Sequence, residues 1–197
     1  MQQLETETSP DTGARWYALR VFGNRILQVR DQLEQRGART YMALKTVRET
    51  LNGRTVTRQV QLAPSLLFVC CTRSELLAFK KNHNDCLMLY RCADSAEPAP
   101  IPEEEMRLFI LVTSATEGRD VELLGLDPRA LEFKPGDRVR VTEGPFQGAE
   151  GMIRRIKKDR KLVIAVRGVV AVTISNIPGA FLERIAPDPT ETKQNPA

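Results

Sequence analysis

The chain has 197 residues, a net charge of +4 and a sequence pI near 9.0, with the apolar and charged fractions of an ordinary soluble protein. Its length holds one large domain or two small ones, and no apolar stretch is long enough to cross a bilayer. The single histidine and four cysteines contain no CxxC pair, which argues against a zinc centre.

The first residues, MQQLETETSPDTG, are polar and acidic, without the basic and apolar regions of a signal peptide. With the last stretch, PDPTETKQNPA, they predict disordered tails over 1–13 and 187–197. Cys70 and Cys71 close the apolar run Leu66–Val69, and reduced thiols in such a place predict a cytoplasmic protein.

In chain order, RWYALRV (15–21) alternates as a strand. Gly23 and Asn24 make a turn, with Asn24 expected to cap a helix over 25–36. Ile26, Val29 and Leu33 share that helix's apolar face, and Gly37 stops it. TYMALKTVRET and RTVTRQVQL flank Leu51-Asn52-Gly53, a hairpin signature, and bring Lys45, Arg48, Arg54 and Arg58 into one basic hairpin. Leu66–Cys71 reads as a buried central strand. Ser74 is expected to cap a helix over 75–81, CLMLYRC (86–92) is a further strand, and Pro102 opens a helix over 103–112. The order is that of an α+β sandwich over 14–113, one antiparallel sheet with flanking helices. A weakly patterned linker covers 114–132.

From 133 to 186 the elements are short strands, DRVRV, GMIRRI, KLVIAV and VVAVTI, separated by tight turns, which predicts a small all-β barrel. Positive charge concentrates in this segment. Its run Arg154-Arg155-Ile156-Lys157-Lys158-Asp159-Arg160 is read as a hairpin, with Ile156 inward and 158–160 as the turn. The bland reading of that run is a solvated turn; the functional one is phosphate contact by Arg154, Arg155, Lys157 and Lys158. GPFQGAEG has neither GxGxxG spacing nor a GK[ST] ending, so it is no phosphate loop. His83 sits in a polar stretch, and Glu103, Glu104 and Glu105 fan around a helix start. No enzyme active site emerges, and no cofactor is implied.

PGDRVRVTEGPFQGAEGMI resembles the KOW motif, through Gly136, Asp137, Gly144, Pro145, Phe146, Gly148 and Gly151. The opening RWYALRV, the amphipathic helix, the hairpin and LAPSLLFV resemble the NusG N-terminal (NGN) domain. Both in this order identify a NusG-type chain, an NGN domain followed by an SH3-like KOW barrel. WYALRV, PSLLFV, IPEEEMRLFI and IPGAFLERI are most similar to the specialised NusG paralogues, of which RfaH is one, and to the UpxY group among them.

The resemblance implies a monomeric transcription antitermination and elongation factor, acting by binding. Its N-terminal domain would hold the β′ clamp helices of RNA polymerase and reach the β subunit, suppressing pausing and termination at operons such as capsular-polysaccharide loci. A housekeeping NusG-like factor, or an RNA- or ribosome-binding KOW protein, is the alternative. Carried over by position, the polymerase-binding residues are Arg20, Phe22, Arg25, Pro64, Leu66 and Phe68. For Leu66 and Phe68 the competing reading is core packing, because strand alternation turns half of such residues inward. The family's aromatic-Pro-x-aromatic turn is Ala63-Pro64-Ser65-Leu66 here. The nucleic-acid candidates are Arg48, Arg54 and Arg58 with Arg154, Arg155, Lys157 and Lys158. The barrel loop 166–170 lacks an aromatic, which argues against Rho stimulation and leaves NusE or RNA as the barrel's alternatives.

Overall fold

The computed structural model describes residues 13–51, 54–92, 95–115, 120–125, 138–156, 159–175 and 177–185. The chain divides into two compact units, Met1–Tyr41 with Ser65–Pro100 and Met42–Pro64 with Ile101–Ala197. Gly136, Asp137, Lys157, Lys158 and both predicted tails, apart from Gly13, lie outside the described residues.

The first unit is built on a four-stranded antiparallel sheet in the order β2-β5-β1-β6, from β1 (Arg15–Val21), β2 (Arg39–Tyr41), β5 (Leu66–Cys71) and β6 (Leu87–Leu89). All six residues of β5 are buried. This central strand reads as an unbroken apolar run because neither face meets water. Helix α1 (Ile26–Gln35) packs on β2 and β5 and buries Ile26, Val29 and Leu33, while α2 (Arg73–Lys81) packs on β6 and buries Leu76 and Phe79.

Two caps differ from expectation. Residue 24 does not cap α1: Gly23 and Asn24 both take left-handed φ (69° and 57°), and Arg25 occupies the cap position without a side-chain bond. Asn tolerates that backbone, so here it serves the turn. Residue 74 does not cap α2: Thr72 does, in a capping box with Glu75 that satisfies two backbone donors reciprocally. Gly37 ends α1 as expected, at φ 83°, with Gly37 N–H donating to Glu34 O and Ala38 N–H to Leu33 O. The predicted strand over 86–92 shrinks to β6, after which Arg91 bridges Pro98.

The stretch 40–50, read as one strand, breaks at Met42 and Ala43. Its start is β2, in the first unit's sheet, and its remainder is β3 (Leu44–Leu51) of the second unit. β3 pairs in register with β4 (Arg54–Gln61) as a two-stranded ribbon that joins no other sheet among the described strands.

The second unit also holds α3 (Glu103–Ser114) and a six-stranded antiparallel sheet in the order β12-β8-β9-β10-β11-β7. Its strands are β7 (Val121–Gly125), β8 (Arg138–Val141), β9 (Glu150–Ile156), β10 (Asp159–Val166), β11 (Val170–Ile174) and β12 (Leu182–Arg184). Val139, Val141, Phe146, Leu162, Ile164, Val166 and every residue of β11 are buried. Asp159 and Arg160, expected in a turn, instead belong to β10 and pair with Ile156 and Arg155. The segment read as a linker contributes β7, paired with β11. Helix α3 approaches the barrel: the Glu105 carboxylate accepts from the Arg167 backbone N–H at 2.9 Å and from its Nε at 2.6 Å.

The glycines of the β8–β9 turn divide by task. Gly144 and Gly148 carry φ of 84° and 83°, and Gly148 N–H donates back to Val141 O at 2.8 Å, folding the turn beneath Phe146. Gly151 is needed for a different reason, close approach: a Cβ there would lie 2.4 Å from Val163 O.

Candidate functional surface

Register in the first unit's sheet decides which side chains share a face. Arg20 of β1 stands opposite Leu66 of β5 and opposite Met88 of β6, and Ala18 stands opposite Phe68. Directly paired residues point to the same side. One face therefore carries Trp16, Ala18, Arg20, Leu66, Phe68, Cys70 and Met88. Its middle is core, with Leu66 at 3 % and Phe68 at 1 % exposure. Of the two readings held for these residues, packing is the one the geometry realises, because β5 is central and covered on both sides.

The edge of the same face is open. Arg20 is exposed, Met88 is 43 % exposed, and Phe22, just past the end of β1, is 45 % exposed. The Arg20 guanidinium stands 5.8 Å from the centre of the Phe22 ring. Phe22 N–H donates to Cys86 O and Val21 N–H to Ser65 O, both at 2.8 Å, so the backbone under this aromatic is fixed. Ser65 holds φ at 66° where it supplies that carbonyl. Arg25 pairs with Asp85 at 2.6 Å, and the bond from Arg25 holds the Asp85 carboxyl below its usual range. Pro64 is exposed. Arg20, Phe22 and Arg25 are thus assembled at one sheet end; Leu66 and Phe68 support them from within. The spacing of the sequence passed over Met88, whose signal was strand alternation in LML.

The ribbon carries the hairpin candidates on two different faces. Arg54 and Arg58 share one with Lys45, Val47, Glu49 and Val56, where Arg58 bonds Glu49 at 2.8 Å. Arg48 lies on the other, among Thr46, Thr50, Thr55, Thr57 and Gln59. Arg48, Arg54 and Arg58 are all exposed. In the barrel, the backbones of Arg154 and Arg155 lie in β9, paired with Lys161 and Arg160, so the basic residues line up across two strands. His83, by contrast, is structural. It stacks on Phe79 at 4.1 Å, and its Nε2 and Nδ1 bond Gln32 and the Phe79 carbonyl. No cluster of metal-ligating side chains occurs among the described residues, and no helix there is long and apolar enough to cross a membrane.

Comparison with known proteins matches residues 14–110 to the family described as "Transcription termination factor nusG" and residues 135–170 to the KOW motif. The transcription termination/antitermination protein NusG of Borreliella burgdorferi is 25 % identical over 154 residues, covering 75 % of this chain and 74 % of that protein. A solved structure of Thermotoga maritima NusG is similar at 19 % identity and a TM-score of 0.47, over 88 % of this chain and 98 % of that one. With the two matches in this order along most of its length, the chain belongs to the NusG family of transcription termination/antitermination factors, as an NGN domain followed by a KOW domain.

Proposed function

We propose that the protein binds RNA polymerase through the open end of its first sheet and acts as an antitermination and elongation factor. The observation that carries this reading is Phe22, a large aromatic at 45 % exposure on a fixed backbone, flanked by Arg20 and Met88. Exposed aromatic and arginine anchors on rigid elements are what binding hot spots are made of. Arg25 and Pro64 extend the reading toward the β′ clamp helices, with the β subunit as a second contact. The resemblance to the UpxY group supports action at selected operons, such as capsular-polysaccharide loci, over a housekeeping role. Arg48, Arg54 and Arg58 on the two-stranded ribbon would meet nucleic acid in the elongation complex by charge complementarity. The barrel, whose 166–170 loop offers Arg167 and no aromatic, would serve NusE rather than Rho.

Co-purification with core polymerase and a pause assay on a leader template test this. Phe22→Ala should weaken polymerase binding by about 2 kcal/mol, near 30-fold, with the fold intact. Wild-type chain that neither retains polymerase nor alters pausing would refute the proposal. A second reading, an RNA-binding KOW protein, draws on the basic strands of the barrel, where Arg154 and Arg155 pair with Lys161 and Arg160. It predicts RNA binding by the full chain with a steep salt slope that flattens by about one for each arginine removed.

A further inference from the structure

The barrel carries one strand that its other pairings do not need. β8 to β11 form a continuous meander, and β12 closes on β8. β7 precedes β8 in sequence, yet it pairs with β11 at the far edge, so removing it leaves the other registers untouched. Its hold is thin. Val121 meets Ile174, Glu122 meets Thr173, Leu123 meets Val172, and the register then slips so that Leu124 bulges out before Gly125 reaches Ala171. Of its described side chains only Val121 is buried; Leu123 is half-buried, and Glu122 and Leu124 are exposed.

What β7 covers is the opposite in character. β11, VAVTI, is apolar or β-branched throughout, uncharged and wholly buried. A strand of that composition with an open edge is a template for pairing with another chain. The edge also carries a charge signal. The Lys161 side chain is only 14 % exposed and sits 2.6 Å from Glu122, whose carboxylate is 66 % exposed. Lys161 belongs to β10 of the barrel, and the acid comes from the covering strand.

We propose that the edge of β11 is a strand-binding site for an extended polypeptide segment, held here in cis by the chain's own β7. The segment it fits has an acidic residue between two apolar ones. The first apolar residue packs beside Ile174, the acid reaches Lys161, and the second apolar residue lies beside Val172. Main-chain hydrogen bonds to β11 supply affinity, and Lys161 supplies selectivity. The site is independent of the polymerase-binding reading.

The test uses the full chain and a fluorescent peptide of residues 119–126, read by anisotropy. Disabling β7 with Val121→Ser and Leu123→Pro together should raise peptide affinity at least tenfold over the intact chain. A peptide carrying Glu122→Lys should lose that gain, and Lys161→Glu in the protein should restore it. A β7-disabled variant with native circular dichroism and no added affinity overturns the proposal. Should that variant unfold, hydrogen exchange on the intact chain decides. β7 amides exchanging at least tenfold faster than those of β10 support a displaceable strand, and equal protection overturns it.

Discussion

Gly151→Ala should be the most damaging single-methyl change in the barrel. A Cβ at this position would lie 2.4 Å from the Val163 carbonyl oxygen, 3.0 Å from Leu162 Cδ1 and 3.1 Å from Ile164 Cγ1. The first obstacle is backbone, locked in the β9–β10 ladder by the Met152–Val163 pair. It cannot rotate away, so the strands must part by roughly an ångström. Overpacking of this kind costs about 1–3 kcal/mol, and an immovable neighbour places it near 3. Two internal references calibrate the number. Gly148→Ala meets nothing within 4 Å but must hold φ 83°, for about 1–2 kcal/mol. Gly179→Ala meets nothing and needs no unusual φ, so it should be near neutral. The only tryptophan, Trp16, lies in the other unit, so its fluorescence does not report on the barrel. Far-UV circular dichroism with hydrogen exchange at β9 and β10 amides is the suitable assay. About 3 kcal/mol in a unit of this size lowers its melting temperature by on the order of 10–20 °C. If Gly151→Ala proves as stable as Gly148→Ala, close strand approach is not why glycine stands there.

Four further outcomes are expected. Leu66→Asp should unfold the first unit, losing buried apolar surface and burying a carboxylate at a cost of at least about 4 kcal/mol. Phe22→Asp should stay within about 0.5 kcal/mol of wild type, and melts with the reverse order would show the sheet end misassigned. Thr72→Ala should cost about 1 kcal/mol by removing the capping box of α2. The bonds from the Thr72 backbone and side chain hold the Glu75 carboxyl below its ordinary value of 4.5. That contribution is therefore fully present above the ordinary value and is lost as pH falls through the lowered one. Glu75→Gln, which removes the titrating carboxyl, should accordingly show a shallower stability loss in acid, and an unchanged acid slope would count against the assignment. Burial pushes the Cys71 thiol up to about 12, so it stays protonated at pH 8. Alkylation of the native chain, followed by mass spectrometry, should mark the half-buried Cys92 well before Cys71, and equal rates would contradict the burial.

Local signals in the sequence reached far. The alternation of RWYALRV, the 3.6-residue face of Ile26, Val29 and Leu33, and the apolar run at 66–71 each encode an element through short-range sterics and burial. Gly37 announced a helix end because few other residues take its φ cheaply. Where reading failed, two local choices competed: Thr72 and Ser74 are both good caps, and only the backbone position of Glu75 selects between them. The break at Met42 and Ala43 left no local mark, since residues on both sides favour strand.

For the candidate surface, the family resemblance named Arg20, Phe22, Arg25, Pro64, Leu66 and Phe68 together, and strand alternation could not sort them, because it says that residues differ in facing but not which face is covered. Covering is a long-range fact. The central position of β5 makes core residues of Leu66 and Phe68, and the end of β1 leaves Phe22 in water. The same holds for β7. VELLG has a weak pattern by itself, and it becomes a strand because the edge of β11 supplies the hydrogen bonds and the apolar neighbour that its own residues cannot. The sequence by itself determined the family, most of the elements and the glycine corners, through patterns of residues near one another. Only the tertiary structure decided which side chains face water, because burial depends on strands that are neighbours in space and distant along the chain.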